Sequence, residues 1–224
     1  MMMNLFSIFD PSTSMYYSMN WLSSIYLIMF IPNIYWLIPS RMMMMYLLLF
    51  KFLINEFKVL MNKNLNKINL IIYLSLLIMI LLNNFLGLFP YIFTSTSHLT
   101  MSLTFSLILW LSYMLFGWIK NLNHMFIHLV PQGTPSVLMP FMVLIESISN
   151  IIRSGTLAVR LSANMIAGHL LMTLISSTGN KLSILFLIIM LLSQSMLIIL
   201  ELSVAFIQAY VFSILSTLYS TETN

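Results

Sequence analysis

The sequence contains no cysteine and very few charged residues. The absence of cysteine excludes disulfide bonds and metal sites built on thiolates. Charged residues make up only 6% of the 224 residues, whereas hydrophobic residues make up 60%. A soluble domain of this length needs far more charge to cover its surface, so the composition predicts a membrane protein.

The apolar runs are long and continuous. Between Lys67 and Lys120 the only side chain that could carry a charge near neutral pH is that of His98. This interval has room for two spans of about 20 residues each, whereas a transmembrane barrel would show short alternating segments. The predicted fold class is an all-α membrane protein in a single membrane domain, 1–224. It comprises about three transmembrane helices, one interfacial amphipathic helix and then a long tilted two-helix hairpin.

The first half of the chain divides into runs of different polarity. The run 16–38 carries Trp21 and Trp36, which would lie about 22 Å apart on a helix and so suit the two aromatic belts of one span. Pro32 lies inside this run and would kink the helix or end it early. Segment 41–62 is apolar but interspersed with charges, which indicates an interfacial amphipathic helix. The second and third spans are predicted over 68–89 and 99–119.

Most of the net charge of +4 arises from one basic cluster. Basic residues favour the negative side of a membrane, so the cluster is predicted to lie there and the amino terminus on the opposite side. A solvated loop explains the cluster better than nucleic-acid binding does, so we expect the lipid bilayer and no nucleic acid among the partners. The cluster consists of Arg41, Lys51, Lys58, Lys63 and Lys67.

The segment 121–135 is predicted to be a loop, because three residues that interrupt regular structure lie at its end. His124 and His128 have the spacing of a metal-binding pair, but no carboxylate or cysteine lies near them in the sequence. We therefore expect no metal site and no cofactor. The three interrupting residues are Pro131, Gly133 and Pro135.

The last ninety residues form two unusually long apolar runs. Over 136–177 the only proline is Pro140, near the start, and 181–219 contains neither proline nor glycine. A helix over either range would be roughly 60 Å long, about twice the hydrocarbon thickness of a bilayer. Either each run breaks into two spans, or both form one strongly tilted hairpin that turns at "STGNK". No internal repeat of the transporter kind is present.

Polar residues follow one stripe of the first long helix. Glu146, Asn150, Arg153, Leu157, Arg160 and Asn164 recur at spacings of four and three, so five of these six positions on one helical face are polar. Neighbouring charges on the stripe lie seven residues, or about 10.5 Å, apart. We therefore expect no direct ion pair within this helix, and partners from another helix, another subunit or water.

Arg160 is the least expected residue of the stripe. For serine, asparagine and glutamine, structural hydrogen bonds between packed helices are an adequate explanation. An arginine near a helix centre in lipid costs at least about 2.5 to 3.5 kcal/mol, and ionisable residues within membranes mostly line polar pathways. Because arginine stays protonated, it does not carry protons itself, but it supplies a fixed positive charge.

A second polar stripe lies on the last helix, where Gln194, Glu201 and Gln208 recur every seven residues. His169 follows Arg160 by nine residues, which places it on the opposite face of its helix. A packing role and a proton-relay role with Glu201 are both open for His169. Buried carboxylates load and release protons near neutral pH, so Glu201 and Glu146 are candidate proton carriers.

Several stretches together resemble a known family. "SGTLAVRLSANMIAGHLL" closely resembles the signature of subunit a of the F-type ATP synthases. "LVPQGTP", "IESISNIIR", "ELSVAFIQAYVFSIL" and "NLFSIFDPSTS" look like the animal mitochondrial version of that subunit, especially that of insects. The resemblance covers essentially the whole chain.

The resemblance implies a proton-conducting stator subunit of the F1Fo complex. Subunit a conducts protons through two offset half-channels to and from the c-ring, and so drives the rotation that is coupled to ATP synthesis. In that family, the arginine that Arg160 matches faces the ring and separates the half-channels. His169 and Glu201 match positions of the intermembrane-space half-channel, and Glu146 matches the matrix one. The remaining pathway-lining candidates are Asn164, Gln208, Gln194 and Asn150.

The resemblance also implies partners and a location. Partners would be the c-ring subunits and other Fo stator subunits, including subunit b and subunit 8, with protons as the transported ion. The chain would be a multi-pass protein of the mitochondrial inner membrane with its amino terminus in the intermembrane space, and it would perform no nucleotide chemistry itself. A self-contained secondary transporter and a purely structural subunit of a respiratory complex are the alternatives.

Overall fold

The computed structural model describes residues 5–14, 16–33, 35–61, 69–89, 91–130, 135, 138–179 and 183–222. Within these ranges the chain is helical and contains no strand, so the prediction of an all-α membrane protein is confirmed. The α-helices are α1 (Arg41–Leu60), α2 (Leu70–Gly87), α3 (Leu99–Lys120), α4 (Leu122–Leu129), α5 (Met139–Thr178) and α6 (Ile184–Glu222). Among the described residues, four of these helices are long and apolar enough to cross a membrane: α2, α3, α5 and α6.

The two last helices are single, long elements. Helix α5 has 40 residues and α6 has 39, so each is about 60 Å long at 1.5 Å per residue. Pro140 lies in the first turn of α5, where the missing backbone N–H interrupts no intrahelical hydrogen bond. Of the two arrangements that the sequence left open, the structure therefore contains the unbroken helices. Of the predicted turn at "STGNK", 177–181, the first two residues belong to α5, and residues 180 and 181 lie outside the described residues.

Helix α2 packs mainly against α6 along one buried stripe, whereas α5 packs mainly against α3. Near its start, Leu70, Tyr73 and Leu77 pack with Phe57 of α1 and with Ile214 of α6. Further along, Ile80 packs in a second layer that both long helices supply. Because successive positions of α2 meet earlier positions of α6, from Ile214 to Phe212 and Ala209, the two helices are antiparallel. The residues of that second layer are Leu157 and Leu161 of α5 and Ala209 and Phe212 of α6.

The stretch 16–38 differs from the continuous helix that the sequence predicts. It contains two short 3-10 helices, Met19–Ser24 and Tyr26–Phe30, and the described residues from 31 to 38 are not helical. Pro32 cannot donate a backbone hydrogen bond, and the serine hydroxyls bond to carbonyl oxygens instead of facing lipid. The Ser24 Oγ donates to the carbonyl of Trp21 at 2.7 Å, and the Ser23 Oγ donates to that of Phe93 at 3.1 Å.

Trp21 accordingly packs inside the protein rather than in an aromatic belt. Its ring lies 5.4 Å from that of Phe93 and 5.2 Å from that of His98, measured between centroids. The His98 Nε2 also lies 2.8 Å from the carbonyl oxygen of Phe9. These contacts hold the amino-terminal segment against the turn that joins α2 to α3, so both lie at the same end of the bundle.

The loop prediction for 121–135 is wrong in its first half. Residues Leu122–Leu129 form helix α4, in which Met125 is buried and both histidines are exposed. The sequence contains no helix-interrupting residue until Pro131, so nothing opposes a helix before that point. Residues 131–134 lie outside the described residues, as do Lys63 and Lys67 of the basic cluster.

Phe57 fastens α1 to the bundle, because its side chain is 1% exposed and lies against Tyr73 and Leu77. Phe57→Ala should destabilise the packing of α1 by about 1 to 3 kcal/mol, less than a comparable cavity in a soluble core because lipid also solvates apolar groups. The measurement is the rate at which protease cleaves α1 in detergent-solubilised protein. Phe52→Ala is the control, since Phe52 is 62% exposed, and equal cleavage of the two variants would contradict the prediction.

Candidate functional site

A cavity of about 260 Å³ lies between the two long helices and contains Arg160. Arg160 and Asn164 are one turn apart on α5, and Gln208 of α6 lies across the cavity from them. Gln208 is only 7% exposed, and neither of its amide atoms has a hydrogen-bond partner among the described residues. The apolar walls are Leu157 and Leu161 of α5 and Val204, Ile207, Val211 and Phe212 of α6.

A second cavity of about 260 Å³ continues along the same two helices toward the end of α6. Arg153 and Glu222 lie in it, and Leu157 and Arg160 line both cavities. Arg160 therefore stands where the two cavities meet. Among the described residues, no carboxylate lies within ion-pair distance of its guanidinium. The other lining residues of the second cavity are Thr156, Leu215, Leu218 and Tyr219.

Arg153 pairs with carboxylates from two helices. Its Nη2 lies 3.9 Å from Oε1 of Glu146, and its Nη1 lies 3.8 Å from Oε1 of Glu222. The expectation of no direct ion pair within α5 is therefore wrong, because two long side chains that lean toward each other close a backbone separation of about 10.5 Å. The expectation of a partner from another helix holds for Glu222.

Glu222 is a site residue that the sequence reasoning missed. It follows the end of the long apolar run and therefore looks like part of a polar tail. The available signal was its rarity, since the chain has only five acidic residues. A small cavity of about 30 Å³ beside it includes Asn150 and His128, so Asn150 belongs to this end of the site.

His169 and Glu201 lie on facing parts of α5 and α6, beyond the first cavity. His169 is 9% exposed, and its Nε2, like the Oε2 of Glu201, is buried without a hydrogen-bond partner among the described residues. The Glu201 carboxyl packs against Gly168, the residue before His169. The histidine ring lies 6.2 Å from that of Phe9 between centroids, so the amino-terminal segment covers it.

Gln194, a predicted pathway residue, lies away from Arg160, and the two histidines of α4 form no metal cluster among the described residues. Gln194 is half-buried in the first part of α6, where most side chains are exposed, and it lines neither of the two cavities beside Arg160. His124 and His128 have ring centroids 6.3 Å apart on α4. In the part of the chain that the structure describes, no group of three or more histidine, aspartate or glutamate residues could hold a metal ion.

Comparison with known proteins identifies the family. The model of the family described as ATP synthase A chain matches residues 13–221. The chain belongs to this family. Proteins named ATP synthase subunit a are similar to it along their whole length: that of Drosophila melanogaster is 57% identical over 224 residues, covering 100% of both chains. That of Locusta migratoria is 58% identical over 223 residues and 99% of both chains, and that of Aedes aegypti is 57% identical over 226 residues and 100% of both.

In this member of the subunit a family, Gly168 leaves the space that the Glu201 side chain occupies. A Cβ at position 168 would overlap the Oε1 of Glu201 and lie 2.8 Å from its Cδ, a separation that real Cβ atoms do not show. The position of the carboxyl group therefore depends on a residue without a side chain. A larger residue at 168 must displace either the carboxylate or the helix.

Gly168→Ala should move the carboxyl of Glu201, the candidate proton carrier, and lower proton conduction through the membrane sector by about tenfold or more, because proton transfer depends on hydrogen-bonding geometry. The measurement is passive proton flux into vesicles that contain the complex without its soluble part. Gly155→Ala is the control, since a Cβ at Gly155 has no other heavy atom within 4 Å. Equal flux through both variants would show that the Gly168 contact is unimportant.

Proposed function

We propose that this chain is the stator subunit that conducts protons to and from the c-ring through two offset half-channels. Membership in the subunit a family gives it a role in the proton-translocating Fo sector, beside the c-ring and other Fo subunits. The observation that carries the finer proposal is the location of Arg160, at the junction of two cavities and without a carboxylate partner among the described residues.

The first half-channel would run from the end of the bundle that holds the amino-terminal segment. His169 and Glu201 are the buried titratable groups on this side, and each has an atom that lacks a partner among the described residues. Asn164 and Gln208 line the cavity between them and Arg160. A proton that passes Glu201 would therefore reach the groove between α5 and α6 at the level of Arg160.

The second half-channel would run from Arg160 toward the opposite end. Its cavity contains Arg153 and Glu222, and Arg153 also pairs with Glu146. An arginine beside a carboxylate stabilises its ionised form and so makes it a weaker proton acceptor. The carboxylate accepts a proton readily only when it moves away from the arginine. Glu146 and Glu222 would thus accept protons in turn while Arg153 keeps the other carboxylate ionised.

Arg160 would act on the carboxylate that each c subunit carries in the membrane. A positive charge favours the ionised form of that carboxyl group, so a group that approaches Arg160 loses its proton before it passes. Protonated ring carboxyls turn through lipid and return to the other half-channel. Each charge that moves down the membrane potential releases about 2.3 kcal/mol per 100 mV, which supplies the free energy for directed rotation.

The proposal includes the setting of the subunit. The chain would lie in the mitochondrial inner membrane, with the amino terminus and the 93–98 turn on the intermembrane-space side and Glu222 on the matrix side. Partners would include subunit b and subunit 8. Nucleotide chemistry would belong to other subunits of the complex, and this chain would contribute only the proton path.

Arg160→Lys should abolish ATP synthesis that is coupled to proton flow. The ammonium group is a compact charge that loses its proton more readily and lacks the planar fork of the guanidinium, so it separates the half-channels poorly. The measurement is ATP synthesis driven by an imposed proton gradient in vesicles that contain the whole complex. Arg153→Lys is the control and should retain most of the activity, because two carboxylates still hold a cation there. Near-normal coupled synthesis by Arg160→Lys would refute the proposal.

Glu222→Gln should slow proton release at the second cavity by about tenfold or more, because a hydrogen bond to a charged acceptor is worth about 1.5 to 3 kcal/mol. The measurement is the rate of ATP-driven proton pumping and of ATP synthesis at a series of pH values. Glu222→Asp is the matched control, since it keeps the carboxylate and should retain most of the rate. Unchanged rates in Glu222→Gln would remove this residue from the path and leave Glu146 as the only carboxylate there.

A further inference from the structure

Phe9 covers His169 with the edge of its ring. The two ring centroids lie 6.2 Å apart, and the ring planes are nearly perpendicular, at 87°. His169 is 9% exposed, and its Nε2 has no hydrogen-bond partner among the described residues. Edge-to-face packing is a favourable arrangement of aromatic rings. On this side of α5, packing against Phe9 therefore holds the plane of the His169 imidazole.

Phe9 belongs to a short strap, defined as residues 5–10, whose described side chains are not buried. Residues Leu5–Phe9 form a 3-10 helix. Phe6 is 67% exposed, Asp10 is exposed, and Phe9 itself is half-buried. A segment with so little buried surface opens locally at a low cost in free energy. The position of Phe9 therefore depends on the few contacts that hold the strap.

Two side chains outside the strap hold consecutive carbonyl groups of it. The Nε2 of His98 lies 2.8 Å from the carbonyl oxygen of Phe9, and because a carbonyl oxygen only accepts, this nitrogen carries the hydrogen and donates it. The Nδ2 of Asn20 donates to the carbonyl oxygen of Asp10 at 3.1 Å. The last carbonyls of a helix have no partner within the helix, so both bonds satisfy groups that the strap leaves open.

His98 is itself fixed in place by the bundle. It is the N-cap residue of α3, and its ring centroid lies 5.2 Å from those of both Trp21 and Phe93. The turn before it is buried, and within that turn the Thr94 hydroxyl donates to the Ser97 hydroxyl at 3.0 Å. The imidazole of His98 therefore presents its N–H to the strap from a rigid part of the fold.

We propose that Phe9 and His98 are positioning residues for His169. His98 holds the backbone of Phe9, and the Phe9 ring covers the His169 imidazole and fixes its plane. Neither residue exchanges a proton with the path in this role. The inference rests on the proposed function, because it gives His169 a fixed orientation for proton transfer, and such transfer requires hydrogen-bonding geometry.

The first test measures how fast diethyl pyrocarbonate acylates His169 in the assembled complex. Mass spectrometry of peptides follows each histidine separately, and His124 and His128, at the other end of the bundle, are internal references. His98→Phe keeps an aromatic ring but loses the N–H, so acylation of His169 should rise about fivefold, the equilibrium equivalent of one lost hydrogen bond. His98→Gln keeps an N–H donor and should stay close to the wild-type rate.

Two outcomes of the acylation test would overturn the inference. If the rate at His169 is unchanged in His98→Phe, the bond to the Phe9 carbonyl does not hold the strap. If the rate rises equally in His98→Phe and His98→Gln, the N–H donor is not what matters.

The second test compares Phe9→Ala with Phe6→Ala in vesicles that contain the complex without its soluble part. Phe9→Ala removes the ring that packs on His169, so passive proton flux should fall about tenfold, because small misplacements of a reacting group slow its reaction strongly. Phe6→Ala removes a ring of the same size from the same short helix, but an exposed one, and should leave the flux unchanged. Equal flux through both variants would overturn the positioning role.

Failure of this inference is distinct from failure of the proposed function. If the wild-type complex conducts no protons, the proposed function falls and the role of both residues in proton transfer falls with it. If the wild type conducts protons while Phe9→Ala behaves like Phe6→Ala, only the positioning role is rejected.

Discussion

The guanidinium of Arg160 lies within the apolar length of α5, where a charge is costly unless polar groups or an opposite charge surround it. The described residues provide no carboxylate within ion-pair distance, but they do provide cavities on both sides of it. Asn164 and Gln208 line one cavity, and Arg153 with Glu222 lines the other. The arrangement makes sense if the counter-charge arrives from outside the chain, as it does when a carboxylate on a neighbouring subunit passes.

The helices around α5 and α6 supply the packing that positions them beside the two cavities. Helix α2 packs against α6 along a buried stripe, and Ile80 lies in a layer of leucine, alanine and phenylalanine. Beyond that layer, toward the end of α2, the interior is more polar. Asn84, Gln208 and Glu201 all contain buried atoms without a hydrogen-bond partner among the described residues. Each of these atoms would cost about 1 to 3 kcal/mol if it stayed unpaired in a dry interior, so polar partners beyond the described residues are expected for them.

Prediction from the sequence succeeded where one local property decided the outcome. The unbroken apolar runs and the absence of glycine and proline over 181–219 predicted the long helix α6, and the three-four spacing placed Arg160 and Asn164 on one face. It failed where local signals competed. The tryptophans of 16–38 resembled aromatic belts, yet Trp21 packs on Phe93 and His98, residues more than seventy positions away. The ion pair of Glu146 with Arg153 was missed because side-chain length was not added to helix rise.

The sequence by itself determined that the chain is helical, that it lies in a membrane, and which polar residues interrupt its apolar faces, because composition and periodicity are local properties. It also contained the signature of the subunit a family. Only the tertiary structure decided that Arg160 stands between two cavities, that Glu222 reaches Arg153, that Gly168 leaves space for Glu201 and that Asn84 has no described partner. Each of these depends on which helices lie side by side and at what level, and helix register is set by packing across the bundle rather than by neighbours along the chain.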